Sequence, residues 1–436
     1  MSHHKRKNPD NASITRPLKQ TKSEQNQIKN PTTQYSLPLA TLGSEPSPAF
    51  GQPHQLTCFS YTSEREVRFD TSALKYYVPA PLNADLGYRY EHWTKRSEER
   101  GRIDSLLRAV EQDQVLIERK KGAFVSWRGV MTKLMIAPLE TRDPIDVNLM
   151  LLDGCIFAEE HATEAKLAEK ENMTPFHRRM TYYGYSFESF STWGEPLRSR
   201  EQHTERNRAR CWSGDVDTNI QFCSVVKTKI GGERMILGGE VDCCRDEYTG
   251  QPNTYVELKT SMVIHSAQDE QRFERKLLKF WAQSFLLGIP QEIVVGFRTK
   301  QGRISTLQTL ETLSIPRLIR GKPGAWDPKP CLVFAENLLQ FIRSTIEADK
   351  QHHKENTDDS PVTLATSSEG ASTPQGNQGH SEHTKEYRAV WRLEIRPNAE
   401  NVVLYKLGPD EVEEVRNGED RVGFLPAWFW ESAARE

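Results

Sequence analysis

Residues 238–260 read GGEVDCCRDEYTGQPNTYVELKT. Two short apolar runs flank a turn-rich bridge; the first carries Glu240 and Asp242, the second Glu257 and Lys259. Side chains at i and i+2 of a β-strand point to the same face. A strand through the first run therefore projects Glu240 and Asp242 together, with Val241 opposite, and a strand through the second does the same for Glu257 and Lys259, with Leu258 opposite. If the two strands are neighbours, their carboxylates and one ammonium meet at one spot. Carboxylates so placed repel one another unless a cation sits among them, and hard oxygen ligands suit Mg²⁺ or Mn²⁺. A structural metal site has no need of the lysine. Phosphoryl transfer does, because an ammonium orients the nucleophile or offsets the extra charge on the phosphate. The competing reading is plain: polar outer-face residues on half-exposed strands, joined by a plain loop, RDEYTGQPN.

Other segments weigh between the two. Gly184-Tyr185-Ser186-Phe187-Glu188 sets one more acid on a strand-like run, after a glycine that permits close backbone approach. Trp127-Arg128-Gly129 offers a guanidinium, a group suited to bidentate phosphate contact. Gln283 falls on an expected helix, just past Phe280.

The paired acid-x-acid and acid-x-Lys pattern resembles the restriction-endonuclease-like nuclease cores. Together, WRG, G-Φ-x-Φ-E, E-V-D, E-L-K and a downstream helical Gln resemble the DXO family of RNA 5′-end decapping nucleases, which includes a fungal nuclear branch. The resemblance runs from the CFS segment at 58 to the GFLPAWFW end, about 370 residues, with the motifs in family order. It implies a fold and a set of roles. The fold is mixed α/β (α+β), a single domain of mixed β-sheets flanked by helices. Glu188, Asp242 and Glu257 would be metal ligands, joined by the Leu258 backbone carbonyl. Glu240 would bind the metal directly or through water and lie against the substrate. Lys259 and Gln283 would hold the attacked phosphate and the water. Arg128, between Trp127 and Gly129, would contact the RNA backbone. Cys223 matches a position near the substrate, and equally reads as a buried strand cysteine. Arg65 and Glu98 fall near the 5′-end pocket, in stretches where surface charge is the usual explanation.

The resemblance also implies the reactions and surroundings. These are release of pyrophosphate from 5′-triphosphate RNA, removal of an unmethylated cap as the dinucleotide, and removal of an NAD cap. Each leaves a 5′-monophosphate for a nuclear 5′→3′ exoribonuclease that the fungal members bind and stabilise. Two alternatives stay open: a mainly non-catalytic stabiliser of that exoribonuclease, and a decapping enzyme with its own 5′→3′ exoribonuclease activity. The intact acid and lysine set argues against the first. A DNA-directed nuclease of the same core is disfavoured by the 5′-end pocket motifs.

Composition bounds the remainder. The chain has 436 residues, 36% of them hydrophobic, and a mean hydropathy of −0.68, so polar tails dilute an ordinary core. A net charge of −2 argues against a uniformly basic nucleic-acid coat, but leaves room for a local basic groove. Seven scattered cysteines, without a C-x-x-C pair, fit a reducing compartment and no structural zinc. No apolar run is long enough for a membrane span, and nothing at the N-terminus reads as a secretory signal.

Residues 1–52 read as a disordered basic/polar tail. Its first 30 residues hold seven Lys/Arg against two acids, and Lys5-Arg6-Lys7 is either part of a nuclear import signal or a solubilising charge cluster. Residues 349–384, polar and aperiodic, read as a disordered insertion. The domain is then 53–348 and 385–436. Within it the pattern predicts one helix over 103–118, strand-like runs on both sides of Gly129 and over 181–190, a hairpin turning at IGGE, a helix over 267–287, a last long helix over 330–348, and a C-terminal hairpin. RSREQHTERNRAR (198–210) carries five arginines and two glutamates, and either lines the mouth for an RNA strand or is a solvated face.

Overall fold

β-Branched residues alternate through Gln221–Ile230, and that segment forms a strand antiparallel to Glu233–Glu240, with Glu240 opposite Cys223. Around this hairpin the computed structural model, which describes residues 34–38, 46–140, 142–196, 212–289, 292–358 and 387–435, builds a ten-stranded sheet. Its order is Gln34–Pro38, Asn401–Lys406, Val390–Ile395, Ile145–Leu152, Cys155–Glu160, Phe124–Trp127, Glu233–Glu240, Gln221–Ile230, Phe50–Tyr61 and Val67–Arg68. Phe124–Trp127 runs parallel to both of its neighbours; the other pairs are antiparallel. Every residue of Ile145–Leu152 is buried, as expected of a strand covered on both faces.

A second sheet of six strands has the order Ile304–Leu310, Ile293–Arg298, Tyr255–Met262, Cys243–Cys244, Tyr76–Tyr77 and Thr192–Trp193. Tyr255–Met262 and Ile293–Arg298 are parallel, and the helix Ala267–Leu287 makes the crossover that parallel pairing requires. This helix starts where the Ser266 side chain accepts the Asp269 backbone N–H, and ends at Gly288 in the left-handed region. Its apolar stripe, Phe273, Leu277, Trp281 and Leu287 among others, joins a core shared by both sheets, with Ser284 buried on the same helix. The fold is therefore mixed α/β with helices on mixed sheets, and the C-terminal hairpin of Val390–Ile395 with Asn401–Lys406 pairs back onto Ile145–Leu152.

Several expectations require correction. The run 181–190 is not a strand but the end of a helix, Pro175–Phe190, opened by Pro175 and capped by the Thr174 side chain. Its buried residues, Tyr182, Tyr183, Ser186 and Phe187, recur at helical spacing, while Tyr183, Tyr185 and Phe187 happen also to alternate. After the strand Phe124–Trp127 the chain turns into a helix, Arg128–Ile136, not a second strand; a helix buried almost all round carries no amphipathic signature. The single helix expected over 103–118 is two, Asp104–Val110 and Asp113–Arg119, because Gln112 takes an extended backbone. The strand expected to run through Asp242 stops at Glu240 and resumes as Cys243–Cys244 in the other sheet. The last long helix spans Pro328–Asp358, so the beginning of the expected insertion is helical; 359–386 lie outside the described residues. Likewise Gln34–Pro38, inside the expected tail, pairs with Asn401–Lys406. Residues 1–33 and the arginine-rich run 198–210 fall outside the described residues. No helix among the described residues is long and apolar enough to cross a membrane.

Candidate active site

The acid cluster lies on the seam between the two sheets. Glu240 ends a strand of the large sheet, Asp242 occupies the link, and Glu257 and Lys259 project from the small sheet. The link is pinned: Asp242 Oδ2 accepts the Leu258 backbone N–H at 2.6 Å. Lys259 Nζ donates to Glu257 Oε1, and Arg128 Nη1 stands 3.9 Å from the same oxygen. Arg128 Nη2 reaches the Glu240 carbonyl at 3.4 Å. The Pro175–Phe190 helix delivers Glu188, which feels the charges of Asp242, Glu240 and Lys259.

Two glycines permit these approaches. At Gly239 a Cβ would stand 3.0 Å from Leu287 Cδ1 and 3.2 Å from Arg128 Cβ, so a side chain there would press both helices away from Glu240. At Gly296, beside Thr260 in the small sheet, a Cβ would fall 2.4 Å from the Phe187 ring. The Glu188 helix can lie on the sheet only because that position is bare.

The electrostatics are those of acids held together without enough positive charge. Burial raises the Glu188 pKa well above the carboxylate range, with Asp242 and Glu240 adding to it. Asp242 is pushed up to about 7 by burial and by Glu257. Glu240 is raised by burial, against the hydrogen bond from Gln221 and the charge of Arg128. For Glu257 burial works upward too, but Lys259 and Arg128 outweigh it and hold the carboxyl below its ordinary value. Lys259 is correspondingly raised, Glu257 and Asp242 overcoming the cost of burial. Glu257 is 1% exposed, yet among the described residues its Oε2 has no hydrogen-bond partner, and neither has Arg128 Nη1.

The remaining sequence-predicted residues sit at varied distance from this centre. Trp127 ends its strand and donates its indole N–H to the Arg102 carbonyl at 3.0 Å, with its ring under Gly238. Gly129 is in the first turn of the following helix, and a Cβ there would meet nothing within 4 Å. Gly184 is equally open, so the close approach expected of it is not what that glycine provides. Cys223 is buried opposite Glu240, its thiol raised by burial and by that carboxylate. Arg65, at φ 66°, lays its guanidinium 3.6 Å from the Tyr61 ring centre and donates to Gln221 Oε1 at 2.7 Å. Glu98 pairs with Lys95 at 3.2 Å and lines a cleft with Trp93, Arg96, Tyr185 and Gln221. Gln283 is half-buried on the crossover helix, and its side chain hydrogen-bonds to no described residue.

The sequence reading passed over Gln221, Arg96, Lys75 and Tyr185. Gln221 carried a signal, since it shares a strand face with Cys223 at i+2. Tyr185, whose hydroxyl pKa is raised by burial and by Glu188, stands within the G-Φ-x-Φ-E run itself. Lys75, which acts on Glu188, and Arg96 come from irregular segments and carried none.

The donor set suits a hard divalent cation: Glu257 buried with an orphaned oxygen, and half-buried acids raised by desolvation and then by one another's charge. The side chains are not closed around one point, however, for among the described residues no three His, Cys, Asp or Glu are grouped as a metal would require. Glu257 instead faces Lys259. The fit is one of charge and ligand type.

A profile of the family described as RAI1 like PD-(D/E)XK nuclease matches residues 51–430. The decapping nuclease RAI1 of Mycosarcoma maydis is 36% identical over 89% of this chain and 89% of its own length. The decapping and exoribonuclease protein of Mus musculus is 33% identical over 75% of this chain and 85% of its own. Among solved structures, Candida albicans Rai1 in complex with pU5-Mn²⁺ superposes with a TM-score of 0.70 at 23% identity, covering 92% of this chain and 99% of that one.

Proposed function

The chain belongs to the RAI1-like PD-(D/E)XK nuclease family, and from that premise we propose that it is a metal-dependent RNA decapping hydrolase acting at RNA 5′ ends. One observation carries the reading: a helix brings Glu188, the two sheets bring Glu240, Glu257 and Lys259, and the link between them brings Asp242 to one place, where Asp242 accepts the Leu258 N–H, Lys259 donates to Glu257, and the charges act on one another. The substrates are 5′-triphosphate RNA, which yields pyrophosphate, unmethylated caps, which leave as the dinucleotide, and NAD caps. Each product is 5′-monophosphate RNA. The names of the Mycosarcoma and mouse relatives support decapping, and the latter also supports a 5′→3′ exoribonuclease activity of the chain's own. The Mn²⁺ and RNA bound to the Candida protein support a divalent cation, Mg²⁺ or Mn²⁺, and an RNA strand as occupants. Action in the nucleus, and binding and stabilisation of a nuclear 5′→3′ exoribonuclease, extend the proposal from the family resemblance. The division into a basic tail, one nuclease domain and an insertion is proposed from composition.

Glu188, Asp242, Glu257 and the Leu258 carbonyl would hold the cation, with Glu240 bound directly or through water. Once bound, it supplies Lewis-acid polarisation of the phosphate and acidifies a water. The protein's own groups do the rest. Lys259 hands its ammonium from Glu257 to the attacked phosphate and offsets the charge that grows there. Arg128, whose Nη1 has no hydrogen-bond partner among the described residues, takes a phosphate oxygen of the RNA backbone. Trp127 fixes Arg128 by anchoring the strand end beneath Gly238. Glu240 orients the water and the first nucleotide, Gln283 holds the attacked phosphate and the water together with Lys259, and Cys223, Arg65 and Glu98 lie near the substrate's 5′ end.

The test is end-product analysis on triphosphate, unmethylated-cap, methylated-cap and NAD-capped RNAs in Mn²⁺. Native protein should release pyrophosphate, dinucleotide cap or NAD; soluble Glu257→Ala protein should release none. Full turnover by Glu257→Ala would sink the assignment. Absence of any release by the native protein, with an exoribonuclease co-purifying, would favour the stabiliser.

A further inference from the structure

Gln221 ties two arginines to one amide and bears on an acid of the site. Its Oε1 accepts Arg65 Nη1 at 2.7 Å and Arg96 Nη1 at 3.5 Å. Its other end bears on the Glu240 carboxylate, whose charged form it favours. The position is fixed by two strands at once: Gln221 opens its own strand, pairs with Tyr61 on one side, and lies two residues from Cys223, the partner of Glu240, on the other. The arginines are constrained as well. Arg65 rests on the Tyr61 ring and donates to the Asn219 carbonyl at 2.9 Å. Neither arginine is ion-paired to a carboxylate among the described residues, and after burial the charge of Arg96 lowers the Arg65 pKa. Two like-charged guanidiniums are thus held side by side by one neutral oxygen, and the same side chain favours the charge of an acid of the active site.

We infer that Gln221 is a positioning residue, setting an arginine pair that receives the phosphates of the RNA 5′ end at a fixed offset from Glu240. This rests on the decapping reading above. A glutamine suits the task because it is donor and acceptor together. A carboxylate there would hold the arginines but repel Glu240. A hydrocarbon would hold neither.

That asymmetry is the test. Gln221→Glu keeps the acceptor and loses the donor; Gln221→Met keeps the size and loses both. Affinity for a 5′-monophosphate oligoribonucleotide is read by fluorescence anisotropy in EDTA, and kcat by product release from 5′-triphosphate RNA in Mn²⁺. Gln221→Met should weaken binding about tenfold and lower kcat. Gln221→Glu should bind within about twofold of native while kcat falls about tenfold or more. Adding Arg96→Met to Gln221→Met should cost little further affinity, because the two act as one unit. Equal losses in the two single variants, no loss in either, or a fully additive double variant would overturn the inference. If Gln221→Met does not fold, Arg96→Met alone must still weaken binding about tenfold, and unchanged binding overturns it. Native protein that neither binds nor hydrolyses the RNA refutes the decapping reading instead.

Discussion

Asp242→Asn should make the metal-free protein more stable and the enzyme inactive. Asparagine keeps the shape and keeps an oxygen for the Leu258 N–H, which now ends on Asp242 Oδ2 at 2.6 Å. What it removes is a charge that the site does not want without a cation. Burial and Glu257 move the Asp242 pKa from 3.8 to about 7. At about 1.4 kcal/mol per tenfold, ionising it in the folded protein then costs on the order of 4 kcal/mol. Since the folded value is raised, this side chain's contribution is fully present below pH 3.8 and lost as the pH climbs through 7. The gain from Asp242→Asn should accordingly be near zero at pH 4 and approach its full size at pH 8. Thermal melts in EDTA across that range read the gain; Mn²⁺ titrations on both proteins read the cost. Native protein should melt higher with Mn²⁺, the variant much less so, and the variant should release no pyrophosphate. A variant less stable than native at pH 8 without metal, or a gap that does not change with pH, would refute the view that these acids are held in mutual repulsion.

Lys259→Met should do the opposite, destabilising the protein by about 3–5 kcal/mol, toward the lower end because Arg128 remains 3.9 Å from Glu257; denaturant melts measure it, and hydrolysis should be lost as well. Gly296→Ala should cost about 1–3 kcal/mol by pushing on the Phe187 ring, and lower kcat although Gly296 touches no acid of the site; a variant with native turnover would dissociate the helix position from catalysis. His161 offers a second titration, among Arg392, Asp146 and Glu414. Burial, then the charge of Arg392, lowers its pKa from 6.5 to about 4, with Asp146 opposing, and Glu414 Oε1, on a half-exposed side chain, lies 3.7 Å from Nε2. The protein should lose about 3 kcal/mol as the pH falls from 6.5 towards 4, and His161→Gln should flatten that slope in equilibrium melts.

What was legible in the sequence was what one segment could announce alone. The crossover helix 267–287 has an amphipathic stripe, a serine cap and a terminal glycine, and its limits could be read directly. The 221–240 hairpin has alternation and a glycine turn. The acids could be chosen before their geometry was known, because carboxylates spaced around a lysine have few other uses. The helix holding Glu188 was misread since its aromatics satisfy two periods at once, and only the three-dimensional packing against Gly296 selects between them. The helix after Trp127 is apolar on nearly every side, so periodicity is silent there. Arg96 and Lys75 belong to stretches without regular structure, and no local pattern says that Arg96 ends at Gln221 or that Lys75 acts on Glu188. The bridge RDEYTGQPN was taken for a plain loop, yet Gln251 Oε1 accepts the Gln55 backbone N–H at 3.1 Å and Tyr248 bonds the Gln55 side chain.

That bridge changes how the seam between the sheets behaves. Gln55 and Ser224 belong to the large sheet and Tyr255 to the small one, and their side chains, with Tyr248, form a single buried hydrogen-bonded knot. Glu240 hangs from one side of the knot and Glu257 from the other. The two halves of the site have no shared strand to keep them aligned, so the knot acts as a dowel between two plates. A molecule with either plate out of place has no hydrolytic centre. Damaged or half-folded copies are thereby silent towards RNA, and the capacity to cut is confined to chains that have finished folding.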